Sequence, residues 1–326
     1  MKMIIPLAGK GTRLRPHTHS KPKPLLKVAG KSVLGHILDS VVSLKPEEII
    51  FITGDKEEQI KEFISTNYHI KTRFIRQQEL LGDGHAISLA ADYVKEDLLI
   101  IFVDTIFKAD LSIIGDLKCD GVVWVREVED PRRFGVVVLN KEGYISEIIE
   151  KPEVPPSKLV NIGLYYVKDA RVLFECLANN IKNNITSKGE LRLVDALTAM
   201  IKKGKKLVAP EAEEWLDCGK PETLLSTNRY LLEHGFHRVV QTLNTVIIPP
   251  VHIGDNVKIE NSIIGPYVSI APNCRIHNSI ISDSIIDQNS VVENAALHKS
   301  LVGDSALIKD TFRRLNVGDN SEIDFD

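Results

Sequence analysis

Along the first two-thirds of the chain, short β-branched runs alternate with longer stretches whose apolar residues recur at helical spacing. Residues 1–8, 48–53, 72–76 and 98–103 read as strands. Between the first two, Val33, Leu34, Ile37, Leu38, Val41 and Val42 follow the helical period, with Ser32 standing where a cap belongs. This βαβ order predicts a Rossmann-like α/β fold: a mixed, mostly parallel sheet with helices on both faces and ligands at the carboxyl ends of the strands. Residues 121–128 and 135–139 alternate with period two, and residues 140–143 form a turn signal before 144–149, which predicts an antiparallel insertion over the same sheet edge. Helical patterns return at 170–178, 191–201 and 222–233.

After about residue 240 the pattern changes. Ile253, Ile259, Ile264, Ile270, Ile276, Ile281, Ile286, Val292, Leu297, Val302 and Ile308 follow one another at steps of five or six. Neither a helix nor a hairpin meander has that period. A hexapeptide β-helix does, with three short faces to a coil and aliphatic side chains stacked inside. Ile253, Ile270, Ile286 and Val302 then mark successive coils; the alternative is a sandwich of short irregular strands. The expected division is a domain over 1–238 and a repeat domain over 239–326.

Composition narrows the classes. A chain of 326 residues with 43% hydrophobic and 26% charged residues has core enough for two globular domains. Cys119, Cys176, Cys218 and Cys274 show no metal-ligand or C-x-x-C spacing, so they read as reduced thiols rather than a structural zinc site. The apolar N-terminal run is too short for a signal peptide and residues 98–103 are too few to span a bilayer, so the expectation is a cytoplasmic protein without a membrane partner. The 41 Lys and Arg nearly balance the 44 Asp and Glu, which argues against nucleic acid as a partner.

Local basic clusters therefore have local purposes. In "PLAGKGTRLRPHTHSKPKPLL", Gly9 and Gly11 follow the first strand and precede a helix, where glycines let backbone N–H groups turn inward round a phosphate. Turns need glycine in any case. Arg13, Arg15, Lys21 and Lys23 add charge suited to a triphosphate, and a solvated basic loop is the alternative, more so for Arg15 and Lys21. Asp104, at the end of an apolar strand, and Asp217, after Trp215 and Leu216, each read singly as an ordinary turn or cap residue.

"LAGKGTRLRP" followed by "KPKPLLKVAGK" resembles the signature of the sugar-1-phosphate nucleotidylyltransferases, the nucleoside-diphosphate-sugar pyrophosphorylases. Further segments follow in family order to about residue 235: "QQELLGDGHAI", "FVDTIF", "RFGVV", "EKP", "NIGLYY", "KGEL" and "WLDCG". Family members often carry a left-handed β-helix after the catalytic domain, in agreement with the repeat. The usual loop reads L-A-G-G-x-G-T-R-L; here it is one residue shorter, and Lys10 brings a charge to it.

The resemblance implies a reaction: a sugar 1-phosphate oxygen attacks the α-phosphorus of a nucleoside triphosphate, giving a nucleotide sugar and pyrophosphate. It implies Arg13, Lys23 and Lys151 as catalytic groups, with Arg13 on the β- and γ-phosphates, Lys23 on the α-phosphate and Lys151 on the sugar phosphate. Leu7, Ala8, Gly9, Gly11, Thr12, Gln77, Gly82 and Asp104 complete the nucleotide site. Gly135, Glu150, Asn161 and Gly163 join Lys151 at the sugar, and Asp104 and Asp217 bind Mg2+; Asp83, Asp195 and Glu190 rank below them. Gln77, five residues before Gly82, stands where pyrimidine-using members read uracil or thymine, although Gln78 leaves the register open by one; "GDGHAI", with His85, also looks uridylyl- or thymidylyl-like. The expected substrates are dTTP or UTP and glucose 1-phosphate. The alternatives are a mannose-1-phosphate guanylyltransferase, a bifunctional enzyme with acyl transfer in the β-helix around His252, His277 and His298, and a non-catalytic regulatory homologue. Ile263, Tyr267, Val268 and Ile285, read as facing outward, predict a homo-oligomer through the β-helix.

Overall fold

The computed structural model describes residues 1–309; residues 310–326, the end of the expected repeat domain, lie outside the described residues. Strands β1 (Lys2–Pro6), β2 (Ile49–Thr53), β3 (Thr72–Arg76), β4 (Leu98–Ile101), β5 (Gly121–Glu127), β6 (Gly135–Leu139), β7 (Ile145–Glu150), β8 (Leu159–Val167) and β9 (Leu207–Val208) form one nine-stranded sheet. Its order is β7-β6-β8-β4-β1-β2-β3, with β5 beside β8 and β9 beside β5. β4, β1, β2 and β3 run parallel, and β8 pairs antiparallel with β4, β5 and β6. The expected α/β fold with its antiparallel 135–150 insertion is therefore present.

Met3, Ile4 and Ile5 in β1 and all of β4 are completely buried, so both faces of the central strands are covered, as near-continuous apolar runs require. The helices are α1 (Val33–Val41), α2 (Glu57–Asn67), α3 (Asp83–Ser88), α4 (Ala170–Lys182), α5 (Leu193–Lys202) and α6 (Pro221–Glu233). Ile4, Ile50, Ile52, Leu98 and Ile100 pack with Ile87 of α3, Leu173 and Leu177 of α4 and Leu197 of α5 in one core. Each such buried side chain contributes about 1.5–3 kcal/mol. Ser32 caps α1 as expected, its Oγ accepting the Gly35 N–H at 3.0 Å. Among the elements with no counterpart in the sequence pattern are α2 and β8. α2 buries only Ile60 and Ile64, too narrow a stripe to show as a period, and β8 is interrupted by Asn161 and Gly163.

By packing, the chain divides into one unit of Met1–Gly9 with Ile37–Trp215 and a second of Lys10–His36 with Leu216 onward. The second unit holds the left-handed parallel β-helix. Its strands stack in three four-stranded faces, with Ile253 on Ile270, Ile270 on Ile286 and Ile286 on Val302, so the coil spacing read from the isoleucines is the observed register. Asn256, Asn273 and Asn289 turn successive corners at positive φ, which asparagine tolerates better than most residues.

One expectation is corrected here. Val268 and Ile285 are buried, 0% and 6% exposed, and do not face outward. The same unit covers that side of the β-helix with its own α6. Asn228 of α6, fully buried, accepts from Ser269 Oγ at 2.6 Å and from Ala29 N at 2.9 Å and donates to Tyr267 O at 3.1 Å. Arg229 pairs with Asp283, and Tyr267 donates to Glu233 Oε1 at 2.6 Å. Ile263 is exposed as expected, in register with exposed Val246 and Ile280 on another face.

Candidate functional site

In the first unit, β1 delivers Leu7, Ala8 and Gly9 at its carboxyl end. Leu7 N donates to Ile52 O at 2.6 Å, and a Cβ on Gly54 would stand 3.1 Å from Ala8 O, so β2 presses close beneath the start of the loop. Gln77 follows β3 and is 5% exposed; its Nε2 donates to Gly82 O at 3.2 Å and lies 3.1 Å from His85 Nδ1. His85 is thus tied to Gln77 rather than being an isolated helix residue. Gly82, at φ 122, opens α3 against the Leu191 backbone, where any side chain would collide.

Asp83 and Glu190 are absorbed by structure. Arg192 bonds Asp83 Oδ2 at 2.8 Å and Glu190 at 2.9 Å, while Leu193 N donates to Asp83 Oδ1 at 2.6 Å. Burial pushes the Asp83 carboxyl upward, and Arg192 and the Leu193 N–H pull against it. Asp195 accepts from Ser187 Oγ at 2.7 Å, its other oxygen is buried without a partner, and burial raises its pKa.

The expected sugar residues converge. Gly135 and Glu150 face each other across the β6–β7 pair, and Asn161 Nδ2 donates to Gly135 O at 3.1 Å. Lys151 adopts φ 47, donates its N–H to Phe134 O at 3.0 Å and brings its ammonium 2.9 Å from Glu150 Oε1. Gly163, at φ 82, makes a β-bulge in β8, where a Cβ would stand 3.0 Å from Phe102 Cβ. Tyr165, which sequence reasoning missed, is buried in their midst. Burial first, then the carboxylates of Asp83, Glu150 and Asp104, push its phenol well above the ordinary value, so it remains a donor. Its signal in the sequence is the repeated tyrosine of "NIGLYY". Asp104 is exposed in the turn between β4 and the strand Thr105–Lys108.

In the second unit, Gly11 takes φ 60, and a Cβ on it would stand 3.1 Å from both Lys23 Cβ and Thr18 Cγ2. Only glycine fits there comfortably. Thr18 Oγ1 donates to Gly11 O at 2.8 Å, and Thr12 and Arg13 follow in the 3-10 turn Thr12–Leu14, with Arg13 exposed and Leu14 buried. Gly11 and Lys23 are therefore neighbours, and Lys21 is not free: it pairs with Asp287 at 2.5 Å. Asp217 precedes α6, its Oδ1 accepting Gly219 N at 2.7 Å and its carbonyl accepting Thr227 Oγ1 at 2.9 Å. Asp104 belongs to the first unit and Asp217 to the second. Of the repeat histidines, His252 packs over Gly30 with Nδ1 at Phe236 O, His298 Nδ1 lies 2.9 Å from Ser282 Oγ, and His277 lies beside Asn261. No helix among the described residues is long and apolar enough to cross a membrane.

A mixed, mostly parallel sheet with Gly9 after β1, buried Gln77 after β3 and Lys151 after β7 is an α/β sheet of the kind that takes ligands at its strand ends. The chain belongs to the nucleotidyl transferase family, whose model matches residues 2–234. It is 41% identical to "Bifunctional protein GlmU" of Methanocaldococcus jannaschii over 72% of this chain and 55% of that protein. It is 35% identical to "UTP--glucose-1-phosphate uridylyltransferase AglF" of Haloferax volcanii over 68% of this chain and 93% of that one. A crystal structure of UDP-glucose pyrophosphorylase complexed with UDP-glucose shares the fold, with TM-score 0.63 and 24% identity over 72% of this chain and 98% of its own. The chain spans 55% and 60% of the length of two GlmU relatives it matches.

Proposed function

We propose that the protein is a sugar-1-phosphate nucleotidylyltransferase joining dTTP or UTP to a hexose 1-phosphate, with glucose 1-phosphate favoured. A phosphate oxygen of the sugar bonds to the α-phosphorus, the bond from that phosphorus to the bridging oxygen breaks, and its electron pair leaves with pyrophosphate. Catalysis of this kind is positioning and charge neutralisation. The observation that carries the reading is the convergence of Gly135, Glu150, Lys151 and Asn161 round Tyr165 in a chain of this family. Glu150 and Asn161 accept and donate as sugar hydroxyls require, and Lys151 supplies a cation for the phosphate. Arg13, on the glycine loop with Thr12, and Lys23, packed beside Gly11, take the triphosphate, while Leu7, Ala8, Gly9 and Gly11 present backbone and Gln77 with Gly82 read the base. The similarity to a uridylyltransferase supports a pyrimidine.

Among the described residues no group of three or more His, Cys, Asp or Glu side chains could hold a metal ion by itself. Mg2+ takes one or two carboxylates together with phosphate oxygens and water, and the carboxylates we assign to it are Asp104 of the first unit and Asp217 of the second; when bound, the ion would supply neutralisation of phosphate charge. The test is pyrophosphate release with Mg2+, pairing dTTP, UTP, GTP, CTP and ATP with glucose, mannose, galactose and N-acetylglucosamine 1-phosphates. Turnover with dTTP or UTP is expected. A GTP preference would overturn the base assignment, and silence with every pair would overturn the reaction.

The homo-oligomer is kept on a different face. Val246, Ile263 and Ile280, 57%, 37% and 54% exposed, make an in-register apolar stripe. Sedimentation of the full chain and of its Ile263→Ser/Ile280→Ser variant tests it: a smaller species is expected for the variant, and equal monomers would remove the idea.

A further inference from the structure

The basic segment after the glycine loop is tied to the repeat. Lys21 Nζ bonds Asp287 Oδ2 at 2.5 Å, with both side chains largely buried, 16% and 11% exposed, and reaches Asp304 Oδ2 at 3.5 Å. Lys27 Nζ donates to Gln288 Oε1 at 2.7 Å, and Gln288 Nε2 donates to Asp304 Oδ2 at 2.9 Å. Asp304 also ends a ladder up one corner of the β-helix: Asn256 donates to Asn273 at 3.3 Å, Asn273 to Asn289 at 3.3 Å, and Asn289 to Asp304 at 3.1 Å. His17 packs beside Gly303, and its neighbour Thr18 holds Gly11 O. All of these residues lie in the second unit. Burial opposes charge on Asp304, yet the hydrogen bonds from Ser305 and Asn289 and the charge of Lys21 keep its carboxyl below the usual range.

We propose that Asp287, Gln288 and Asp304 of the β-helix are positioning residues for triphosphate binding: through Lys21 and Lys27 they hold the segment that carries Gly11, Arg13 and Lys23. This rests on the proposed nucleotidylyl transfer. A loop whose ends are fixed has less conformational entropy to lose when it closes on a phosphate, so its anchors act on nucleotide affinity without touching the nucleotide. Lys21 lies only two residues before Lys23, and Thr18 reaches back to Gly11, so a shift at Lys21 is passed to both sides of the loop. The repeat thereby becomes part of the nucleotide site, beyond any part in assembly.

The test uses the full chain with Asp287→Asn, Lys21→Gln, the double variant, Lys21→Arg and Gln288→Leu. Asp255→Asn, which removes a repeat carboxylate paired with Arg238 instead of the loop segment, is the control. For Asp287→Asn, KM for the nucleoside triphosphate should rise about tenfold while KM for the sugar phosphate moves less than about twofold. The double variant should be no worse than Lys21→Gln alone, which already removes the contact that Asp287→Asn weakens. Lys21→Arg should restore most of the affinity, Gln288→Leu should show a smaller change of the same kind, and Asp255→Asn should show none. Amide exchange over residues 10–25, read without substrate, should quicken in Asp287→Asn. Unchanged exchange and unchanged KM in folded Asp287→Asn would overturn the proposal, as would a damaging Lys21→Gln beside a harmless Asp287→Asn. If the parent protein turns over no substrate pair, the functional reading fails, and the exchange measurement still decides whether the repeat holds the loop.

Discussion

The Tyr165 hydroxyl donates to Asn161 Oδ1 at 2.7 Å although both residues belong to one strand. In a regular strand residues four apart are separated by about 13 Å. The register of β8 shifts between Asn161 and Tyr165, and Gly163 sits in that bulge with positive φ. The bulge therefore fixes the Asn161 amide, whose nitrogen reaches Gly135 O.

Gly163→Ala should break this arrangement, because the new Cβ meets Phe102 and φ 82 disfavours any side chain. A stability loss of about 1–3 kcal/mol is expected in urea melts. Tyr165→Phe keeps the backbone and loses only the hydroxyl. It should raise KM for the sugar phosphate several-fold and leave KM for the nucleotide unchanged; equal movement of both would detach Tyr165 from the sugar side.

Lys151→Met removes the cation assigned to the sugar phosphate. A fall in kcat/KM of about 10²- to 10³-fold is expected, from loss of a charge-assisted contact of roughly 3–4 kcal/mol in the transition state. The thermal midpoint should hardly move, since the Lys151 side chain is 39% exposed and its ion pair with Glu150 is therefore screened by water. A steady-state rate within twofold of the parent would take Lys151 out of the reaction.

Arg229→Met leaves the Asp283 carboxylate, 5% exposed in its side chain, without its cation. A stranded buried charge is costly, and the partial exposure of Arg229 lets water return, so a loss of about 2 kcal/mol is expected. Denaturant unfolding measures it. Arg229→Met/Asp283→Leu should recover part of the loss, because no unpaired charge remains.

Burial pushes the Cys274 thiol up to about 11 from 9.0. The unfolded chain therefore loses this proton first as pH rises, and the folded chain binds more protons between about 9 and 11. Stability must fall through that window, by up to about 2 kcal/mol for this one group. The difference in unfolding free energy between the parent and Cys274→Ala, followed from pH 8 to pH 11, should narrow by that amount (pH limits about those of the titration). A constant difference would mean that the thiol does not titrate differently in the two states. Cys119, half-buried, should react with a thiol reagent well before Cys274.

Much of the architecture was legible because burial leaves a period in the chain. β3 and β6 occur at the bounds their alternation predicts, and the isoleucine steps give the coil register directly. α2 and β8 were not legible: α2 buries too few residues, and the interruptions in β8 are the bulge that fixes the Asn161 amide. The residues proposed for the sugar, Gly135, Glu150, Lys151 and Asn161, were expected from motif resemblance, whereas Tyr165 among them was not. The outward-facing assignment of Val268 and Ile285 failed because a one-dimensional pattern cannot say which face of a coil the chain itself will cover.

The residues alone determined the alternation of strand and helix, the six-residue repeat and the glycine loop, since each follows from local spacing and local backbone preference. Tertiary structure decided the partners. Lys21 reads as a phosphate-seeking or solvated charge in the chain, yet it meets Asp287 at 2.5 Å, and Lys27 meets Gln288 at 2.7 Å. Those contacts join residues more than 260 positions apart, as the separations of 266 and 261 record, and no local pattern carries information over such a distance. A charge buried beside a β-helix needs a counter-charge or a hydrogen-bond acceptor there, because leaving it unpaired is costly.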